Sequence, residues 1–296
     1  MRIGIGLPNT VPGAAGSVMI EWACRAEGYG FTTLATIDRI AYPNYESLTV
    51  LAAAGAVTER IGLLTNVLLG PTRNPVLLAK QAASVDQLSN GRLTLGVGVG
   101  TRPDDYVAAE QDFHTRGERW NAALELMHKA WRGEPVAGSA KPVTPRPVSG
   151  DRVPLLIGGT SDATLKRVVR WGVGWTAGGA GPDMAGAFAV RVRQAWNEAG
   201  REGKPRIVAL AYYALGVDAA ARGAAYIRDY YGSAPWVAQM VQSLPHTTQA
   251  LRELARRYVD AGIDELILDP TIAEIDQIDM LAEALGADGE SVRFGP

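Results

Sequence analysis

Short runs of apolar residues alternate along the chain with longer segments in which apolar residues recur every three to four positions. An uninterrupted apolar run is typical of a strand buried on both faces, whereas a period of about 3.6 residues is typical of a helix with one buried face. The short runs predict eight strands, over residues 2–7, 33–37, 61–65, 92–98, 153–157, 174–177, 206–216 and 265–269. The longer segments predict helices, over residues 17–27, 46–58, 75–88, 116–131, 161–171, 184–199, 219–231, 236–243, 248–261 and 275–285.

Every predicted strand is followed by at least one predicted helix. Eight such β–α units with right-handed crossovers close into a (β/α)8 barrel, the TIM barrel, of roughly 250 residues plus insertions. We therefore expect an α/β protein with a single barrel domain over residues 1–296. A doubly wound open sheet has the same alternation of elements, and it is the alternative that periodicity leaves open.

Two segments interrupt this alternation. Residues 133–152 contain four prolines and little periodicity, and we expect them to form a surface insertion because the alternation resumes after them. Residues 230–248 contain Gly232, Pro235 and Pro245 and precede the predicted eighth strand. This segment is expected to be either a lid over the mouth of the barrel or an ordinary helical insertion on its rim.

The composition excludes several classes of protein. Lys plus Arg number 29 and Asp plus Glu number 31, a net charge of −2, so the chain lacks the basic excess of a nucleic-acid-binding protein. Cys24 is the single cysteine and the three histidines are far apart, which leaves neither a disulfide framework nor a spaced metal-ligand motif. No apolar stretch reaches the ~18 residues of a membrane span, and the N-terminus lacks a signal-peptide pattern. We expect a cytoplasmic protein without a metal, membrane or nucleic-acid partner.

Two glycine-rich segments follow neighbouring predicted strands. Gly158-Gly159-Thr160-Ser161 lies between the fifth strand and a helix, and Gly178-Gly179 follows the sixth strand. In a (β/α)8 barrel the loops after the strands form the working face. Because backbone N–H groups at a helix N-terminus bind anions, the two segments together predict a phosphate site. Alternatively, the glycines simply make tight turns.

Polar and aromatic side chains are the other candidates at the working face. Asp38 and Arg39 follow the second strand, where they could bind a ligand or pair with each other. The segment Val97-Gly98-Val99-Gly100 resembles a dinucleotide fingerprint only superficially, because the third glycine is missing and Pro103 intervenes. Aromatic residues that could line a pocket for a flat ring, or else pack in the core, are Tyr42, Tyr45, Tyr106, Trp120, Tyr212, Tyr213 and Trp236.

Three long blocks carry a resemblance that extends over nearly the whole chain. They are Leu48–Gly100, which includes LLTNVLLGPTRNPVLLAKQ, then Arg116–Trp131 (RGERWNAALELMHKAW) and Val153–Gly179 (VPLLIGGTSDATLKRVVRWGVGWTAGG). In these blocks the chain resembles the bacterial luciferase-like monooxygenase superfamily. It is most similar to the branch whose enzymes use the deazaflavin coenzyme F420. The resemblance implies a (β/α)8 barrel that binds reduced flavin or deazaflavin across its C-terminal mouth.

The resemblance also implies which residues hold the cofactor. It implies a non-prolyl cis peptide bond between Asn66 and Val67, behind the ring. The residues it implies for the cofactor are Asp38, which hydrogen-bonds the ring, then Thr65, Asn66, Val67, Gly98, Val99 and Gly100, and, for the phosphate, Gly158, Gly159, Thr160, Ala177, Gly178 and Gly179. The dimers of the family further imply a homodimer.

The chain departs from this pattern at two positions. In the F420-dependent sugar-phosphate dehydrogenases of this branch, the residue after the aspartate is a catalytic histidine, and here it is Arg39. Those enzymes carry an acidic residue where this chain has Thr101. A guanidinium group does not release its proton at neutral pH, so Arg39 cannot act as a base but could pair with a negative group. We therefore do not expect that sugar-phosphate reaction.

The sequence thus predicts an F420-dependent oxidoreductase that transfers hydride between C5 of the deazaflavin and a small organic substrate. Arg39 and Thr101 occupy the catalytic positions, and Tyr42, Tyr213 and Trp236 are expected to shape the substrate side. One alternative is an FMNH₂-dependent monooxygenase, with FMN in place of F420. The other is a non-catalytic protein that binds flavin or deazaflavin, which the missing histidine and acidic residue motivate.

Overall fold

The computed structural model describes residues 1–136 and 138–286, and it confirms the predicted barrel. Eight parallel strands form a closed barrel in chain order, with the last strand paired to the first. The last ten residues of the predicted domain and residue 137 of the predicted insertion lie outside the described residues. The strands are β1 (Arg2–Gly6), β2 (Thr33–Thr36), β3 (Gly62–Leu69), β4 (Leu93–Gly98), β5 (Leu155–Gly158), β6 (Gly174–Ala177), β7 (Arg206–Tyr213) and β8 (Glu265–Pro270).

Helices follow the strands and form the outer layer of the barrel. Short 3-10 turns cover Pro8–Thr10 and Gly70–Thr72. The α-helices are α1 (Gly16–Gly28), α2 (Ser47–Ala56), α3 (Pro75–Leu88), α4 (Pro103–Ala108), α5 (Arg116–Trp131), α6 (Asp162–Trp171), α7 (Pro182–Glu198), α8 (Ala219–Tyr231), α9 (Pro235–Gln242), α10 (Thr248–Asp260) and α11 (Asp276–Gly286).

The sequence prediction missed one helix and misplaced two strand ends by three residues or more. Helix α4 is only six residues long, too short for a hydrophobic period to mark it. Strand β3 continues to Leu69, four residues beyond its predicted end, because its register with β4 shifts between Thr65 and Leu68 and then resumes. Strand β7 ends at Tyr213, whereas the apolar run that predicted it continues to residue 216.

Side chains alternate between two cores along each strand, as in other closed barrels. Outward-facing residues such as Leu34, Leu63 and Leu268 pack against the helices. Inward-facing residues fill the barrel itself, and those of the middle layer are Ala35, Leu64, Leu156, Val208 and Ile267. The barrel is therefore a packed core, and a ligand has to bind at one of its ends.

An ion-pair network closes the end of the barrel at which the strands begin. Glu265 is fully buried and accepts hydrogen bonds from Arg206 (2.6 Å), Arg2 (2.9 Å) and the hydroxyl group of Thr33 (2.6 Å). Burial alone would raise the pKa of Glu265, but these partners lower it overall, so the carboxylate stays ionised. Because this end is filled, the opposite end, where the strands finish, is left for a functional site.

The predicted surface insertion is held against α3. Its described residues, 133–136 and 138–152, contain neither helix nor strand. Lys80 donates a hydrogen bond to the carbonyl oxygen of Thr144 (2.6 Å), and Asp86 accepts one from the backbone N–H of Val148 (2.8 Å). The insertion thus lies along a helix on the outside of the barrel.

Candidate functional site

The C-terminal mouth of the barrel has two halves that differ in how they are covered. We call the ends of β3–β6 the open half, because Thr101, Gly159 and Gly178 at these ends are exposed. We call the ends of β7, β8, β1 and β2 the covered half, because buried tyrosines of α8 pack against it. The two halves offer different chemistry.

Val67 lies across the open half. The peptide bond between Asn66 and Val67 is cis, as the resemblance implied. The two methyl groups of Val67 lie over Gly98 and Gly158, so close that a Cβ on either glycine would lie 2.9 or 3.0 Å from them. A Cβ at either strand end would press on the Val67 side chain, so the two glycines leave Val67 room to form an apolar floor in the open half.

At this floor, the side-chain amide of Asn66 has a hydrogen-bond donor that no other described residue engages. Its side chain is 6% exposed, and its Oδ1 accepts a hydrogen bond of 2.7 Å from the hydroxyl group of Thr176 on β6. Its Nδ2 is buried without a partner among the described residues. A buried donor without a partner costs about 1–3 kcal/mol, which a ligand that accepts a hydrogen bond would recover.

The glycine-rich segments lie in the open half, at the ends of β5 and β6. Gly159 and Thr160 are exposed directly before α6, and Ser161 caps that helix by accepting a hydrogen bond from the backbone N–H of Thr164 (3.3 Å). Gly179 lines a cleft of about 470 Å³ between the start of α7 and α9. Exposed backbone thus lies at the start of α6, where the sequence predicts a phosphate site.

Arg39 lies in the covered half and is held by the unpredicted helix α4. Its Nε donates to Asp105 (2.7 Å), and its Nη2 donates to Asp104 (2.8 Å). Burial alone would lower the pKa of Arg39, but Asp105 and Asp104 raise it overall, so the group stays charged. Its Nη1 is buried without a partner among the described residues, and the group lies 5.3 Å from the ring centre of Tyr42.

Asp38 does not pair with Arg39, which was the alternative left open by the sequence. Each of its oxygens accepts one hydrogen bond from Arg73, at 2.8 and 2.9 Å. The hydroxyl group of Ser47 (2.8 Å) and the backbone N–H of Leu69 (2.9 Å) complete the set. A carboxylate has about four acceptor sites, so all are taken, and the side chain is fully buried. The expectation that Asp38 bonds a ring is therefore corrected, because in this structure it anchors the end of β3.

Tyrosines of α8 form the cover of the covered half. The hydroxyl group of Tyr226 lies 2.6 Å from that of Thr10, and the hydroxyl group of Tyr231 lies 2.8 Å from that of Tyr212 on β7. Tyr230 makes an edge contact with Tyr42 at 5.2 Å between ring centres. Burial raises the pKa of these phenols, so they stay protonated at neutral pH.

The sequence reasoning missed Asp269, the last inward-facing residue of β8. It is 3% exposed, and its Oδ2 has no hydrogen-bond partner among the described residues. Its carboxyl group takes the space that a Cβ on Gly6 would need. The signal in the sequence is a single acidic residue at the end of the apolar run Leu266–Leu268, which the strand prediction absorbs as its last residue.

The other predicted site residues fall in different places. Tyr42 is at the mouth and donates a hydrogen bond to Asp229 (2.5 Å), and Thr101 is exposed at the end of β4. Trp236 is half exposed on α9, within the predicted lid segment, and lines the 470 Å³ cleft. Tyr213 is not brought to the mouth, because it faces outward and donates to the carbonyl oxygen of Gln277 on α11. The expectation that Tyr213 shapes the substrate side is corrected on this ground.

The described residues contain no group of three or more His, Cys, Asp or Glu side chains arranged to hold a metal ion. None of the helices in residues 1–136 and 138–286 is long and apolar enough to span a bilayer.

Comparison with known proteins identifies relatives along the chain. A family model described as luciferase-like monooxygenase matches residues 1–284. A protein of Mycobacterium tuberculosis, described as uncharacterized, is 33% identical over 211 residues, which is 62% of this chain and 72% of that protein. The F420-dependent glucose-6-phosphate dehydrogenase of Gordonia bronchialis is 32% identical over 129 residues, which is 40% of this chain and 38% of that enzyme.

Solved structures share the fold. An F420-dependent secondary alcohol dehydrogenase, in complex with an F420–acetone adduct, superposes with a TM-score of 0.81 at 18% identity, over 97% of this chain and 99% of that one. The monooxygenase RslO1 from Streptomyces bottropensis superposes with a TM-score of 0.77 at 22% identity, over 96% of this chain and 98% of that one. At such identities the likeness shows the fold alone.

Proposed function

The chain belongs to the luciferase-like monooxygenase family, and from this premise we propose that it is an F420-dependent oxidoreductase. It would transfer hydride between C5 of the deazaflavin and a small organic substrate at the C-terminal mouth. The family includes F420- and flavin-dependent enzymes, and the partial relative from Gordonia bronchialis supports F420. Assembly as a homodimer and a cytoplasmic location are part of the same proposal.

The observation that carries the proposal is the floor of the open half. Val67, pressed over Gly98 and Gly158, offers an apolar surface, and the buried Nδ2 of Asn66 is a donor that no other described residue engages. A deazaflavin or flavin ring has both an apolar face and hydrogen-bond acceptors on its pyrimidine edge, so these residues fit it. When bound, such a ring supplies the carbon or nitrogen centre that carries hydride, which protein side chains lack.

The protein would hold the two ends of the cofactor with different groups. Asn66 and Val67 would hold the ring, together with the neighbouring backbone of Gly98–Gly100. Exposed backbone and hydroxyl groups at the start of α6 would hold the phosphate. The residues proposed for the phosphate are Gly158, Gly159, Thr160, Ala177, Gly178 and Gly179.

Arg39, Thr101, Tyr42 and Trp236 would serve the substrate. The charge of Arg39 is fixed by Asp104 and Asp105, and its Nη1, which has no partner in the described part of the chain, would donate to an oxygen atom of the substrate. The exposed hydroxyl group of Thr101 would donate or accept at the open half. Tyr42 stacks near Arg39 and would exclude water from it. Neither Arg39 nor Thr101 can replace the acid–base pair of the sugar-phosphate dehydrogenases.

The test is a pair of turnover assays with the purified protein. In the first, reduced F420 is mixed anaerobically with organic acceptors and its reoxidation is followed by absorbance. In the second, FMNH₂ is supplied by a separate reductase and oxygen uptake is measured. We expect anaerobic reoxidation of F420. Oxygen uptake with FMNH₂ alone would favour the monooxygenase, which solved monooxygenases of this fold support, and activity with neither would favour a binding protein.

A further inference from the structure

Asp269 is a buried acid that the proposed function leaves without a role. It lies in the uppermost inward-facing layer of the barrel, next to β1 and β7. Its carboxyl group occupies the space above Gly6, so the chain keeps a glycine where any side chain would displace it. Tyr212 stands beside it in register on β7.

Among the described residues, none donates a hydrogen bond to Oδ2 of Asp269 or pairs with it as a cation. The titratable groups that face it are the phenols of Tyr212 on β7 and of Tyr226 and Tyr231 on α8. Among the described residues its Oδ2 receives no hydrogen bond. Desolvation alone raises the pKa of Asp269 well above its ordinary range. By contrast, Glu265 at the other end of the same strand has two arginines beside it and stays ionised.

We propose that Asp269 is the proton donor of the site, and that the substrate is a carbonyl compound whose oxygen it meets. The inference rests on the proposed function, because the hydride comes from reduced F420. A protonated carboxyl group has one O–H to donate, and Oδ2 has no partner among the described residues that would compete for it.

The step balances in atoms and electrons. The carbonyl carbon accepts a hydride from the reduced deazaflavin and a C–H bond forms. The C=O π electrons move to oxygen, which takes the proton from Asp269, and the O–H bond of the acid breaks. The carbonyl compound is reduced to an alcohol, the deazaflavin is oxidised, and water reprotonates the carboxylate. In the reverse direction the carboxylate accepts the proton of the alcohol.

The first readout needs no cofactor or substrate. Ordinary Asp and Glu side chains are deprotonated above about pH 5, so the infrared C=O band of a protonated carboxylic acid at pH 7.5 reports a strongly shifted acid. We expect this band in the wild type and in Asp86→Asn, and its loss in Asp269→Asn. Asp86 is a matched control because it is also buried, but on α3, outside the mouth. Identical spectra of wild type and Asp269→Asn would overturn the assignment.

The second readout is reduction of acetone, cyclohexanone and benzaldehyde by reduced F420, with the reverse reaction of the three alcohols. Removing a general acid costs about 10²–10⁴-fold in rate, so we expect that loss in Asp269→Asn with F420 affinity unchanged within twofold. A rate within threefold of the wild type would refute the role of Asp269. Binding of F420 without reaction of any probe would refute the substrate class. Failure of the wild type to bind F420 would instead refute the proposed function, and the infrared band would still decide whether Asp269 is protonated.

Discussion

The hydroxyl group of Thr176 on β6 donates a hydrogen bond of 2.7 Å across the barrel to Oδ1 of Asn66 on β3. This contact engages the oxygen of the amide, so Nδ2 is the end left without a partner among the described residues. Thr176 is therefore a positioning residue for the proposed cofactor site, although it need not touch the cofactor.

Replacing Thr176 should weaken cofactor binding through Asn66. A neutral hydrogen bond contributes about 1 kcal/mol, so Thr176→Val should raise the Kd for F420 by roughly 3- to 10-fold. Thr176→Ser keeps the hydroxyl group and should bind as the wild type does. Fluorescence titration of the three proteins measures this, and equal affinities for valine and serine variants would show that the amide needs no support.

A Cβ at Gly158 should disturb the floor of the open half. It would lie 3.0 Å from a methyl group of Val67, which is closer than ordinary contact, so Val67 must move. We expect Gly158→Ala to weaken F420 binding about 10-fold or more while the barrel stays folded. Gly28→Ala is the control, because a Cβ there meets nothing within 4 Å. Unchanged affinity in Gly158→Ala would mean that Val67 is not part of the binding surface.

Asp38→Asn should lower the stability of the protein, whatever its effect on cofactor binding. The substitution leaves Arg73 mostly buried with only the longer contact to Glu46 (3.4 Å) as a carboxylate partner, at a cost of about 3 kcal/mol in the free energy of unfolding. The exposed pair of Asp162 and Arg191 is the control, and Asp162→Asn should cost less than about 1 kcal/mol. Chemical denaturation compares them. A fully stable Asp38→Asn that has lost F420 binding would restore the ring contact that the resemblance implied.

The network around Glu265 should make stability depend on pH. The pKa of Glu265 is lowered in the folded state, so its contribution is present above the pKa of about 4.3 in the unfolded chain and is lost as the pH falls through the folded value. Glu265→Gln should therefore be less stable than the wild type at pH 7, by about 1–3 kcal/mol. The difference in the free energy of unfolding between wild type and Glu265→Gln should shrink toward pH 3.

The matched control for Glu265→Gln is the same substitution at an exposed carboxylate. Glu274→Gln removes the exposed partner of Arg222 and should change stability by less than about 1 kcal/mol at any pH. Denaturation curves at pH 7, 5 and 3 measure both variants. A gap between wild type and Glu265→Gln that stays constant with pH would contradict the ionised state of Glu265.

The fold could be predicted from the sequence because its signals are local and repeated. Each strand is an apolar run and each long helix has one apolar face, so the alternation itself specifies eight units. Helix α4 escaped because six residues contain fewer than two turns. Its absence from the prediction also hid the partners of Arg39, since Asp104 and Asp105 had no element to place them.

The site could be predicted only where a conspicuous residue type follows the end of a predicted strand. The glycines at the ends of β4, β5 and β6 are conspicuous in the sequence, and the cis bond at Asn66 followed from the resemblance. Asp38 was misjudged because its partner Arg73 lies 35 positions away, beyond any local pattern. Tyr213 and Asp269 lie on neighbouring strands, but Tyr213 faces outward and Asp269 faces inward. The direction that the last residue of a strand faces depends on the exact inward–outward alternation along that strand, which the sequence does not mark.

The central claim is that the open half of the mouth binds a deazaflavin, and equilibrium titration of the wild type with F420 tests it most directly. Fluorescence is followed for oxidised and reduced F420, and the same protein is titrated with FMN. We expect a Kd for F420 well below about 100 μM, which corresponds to roughly −5.5 kcal/mol, and weaker binding of FMN. No binding of F420 up to that concentration would contradict it.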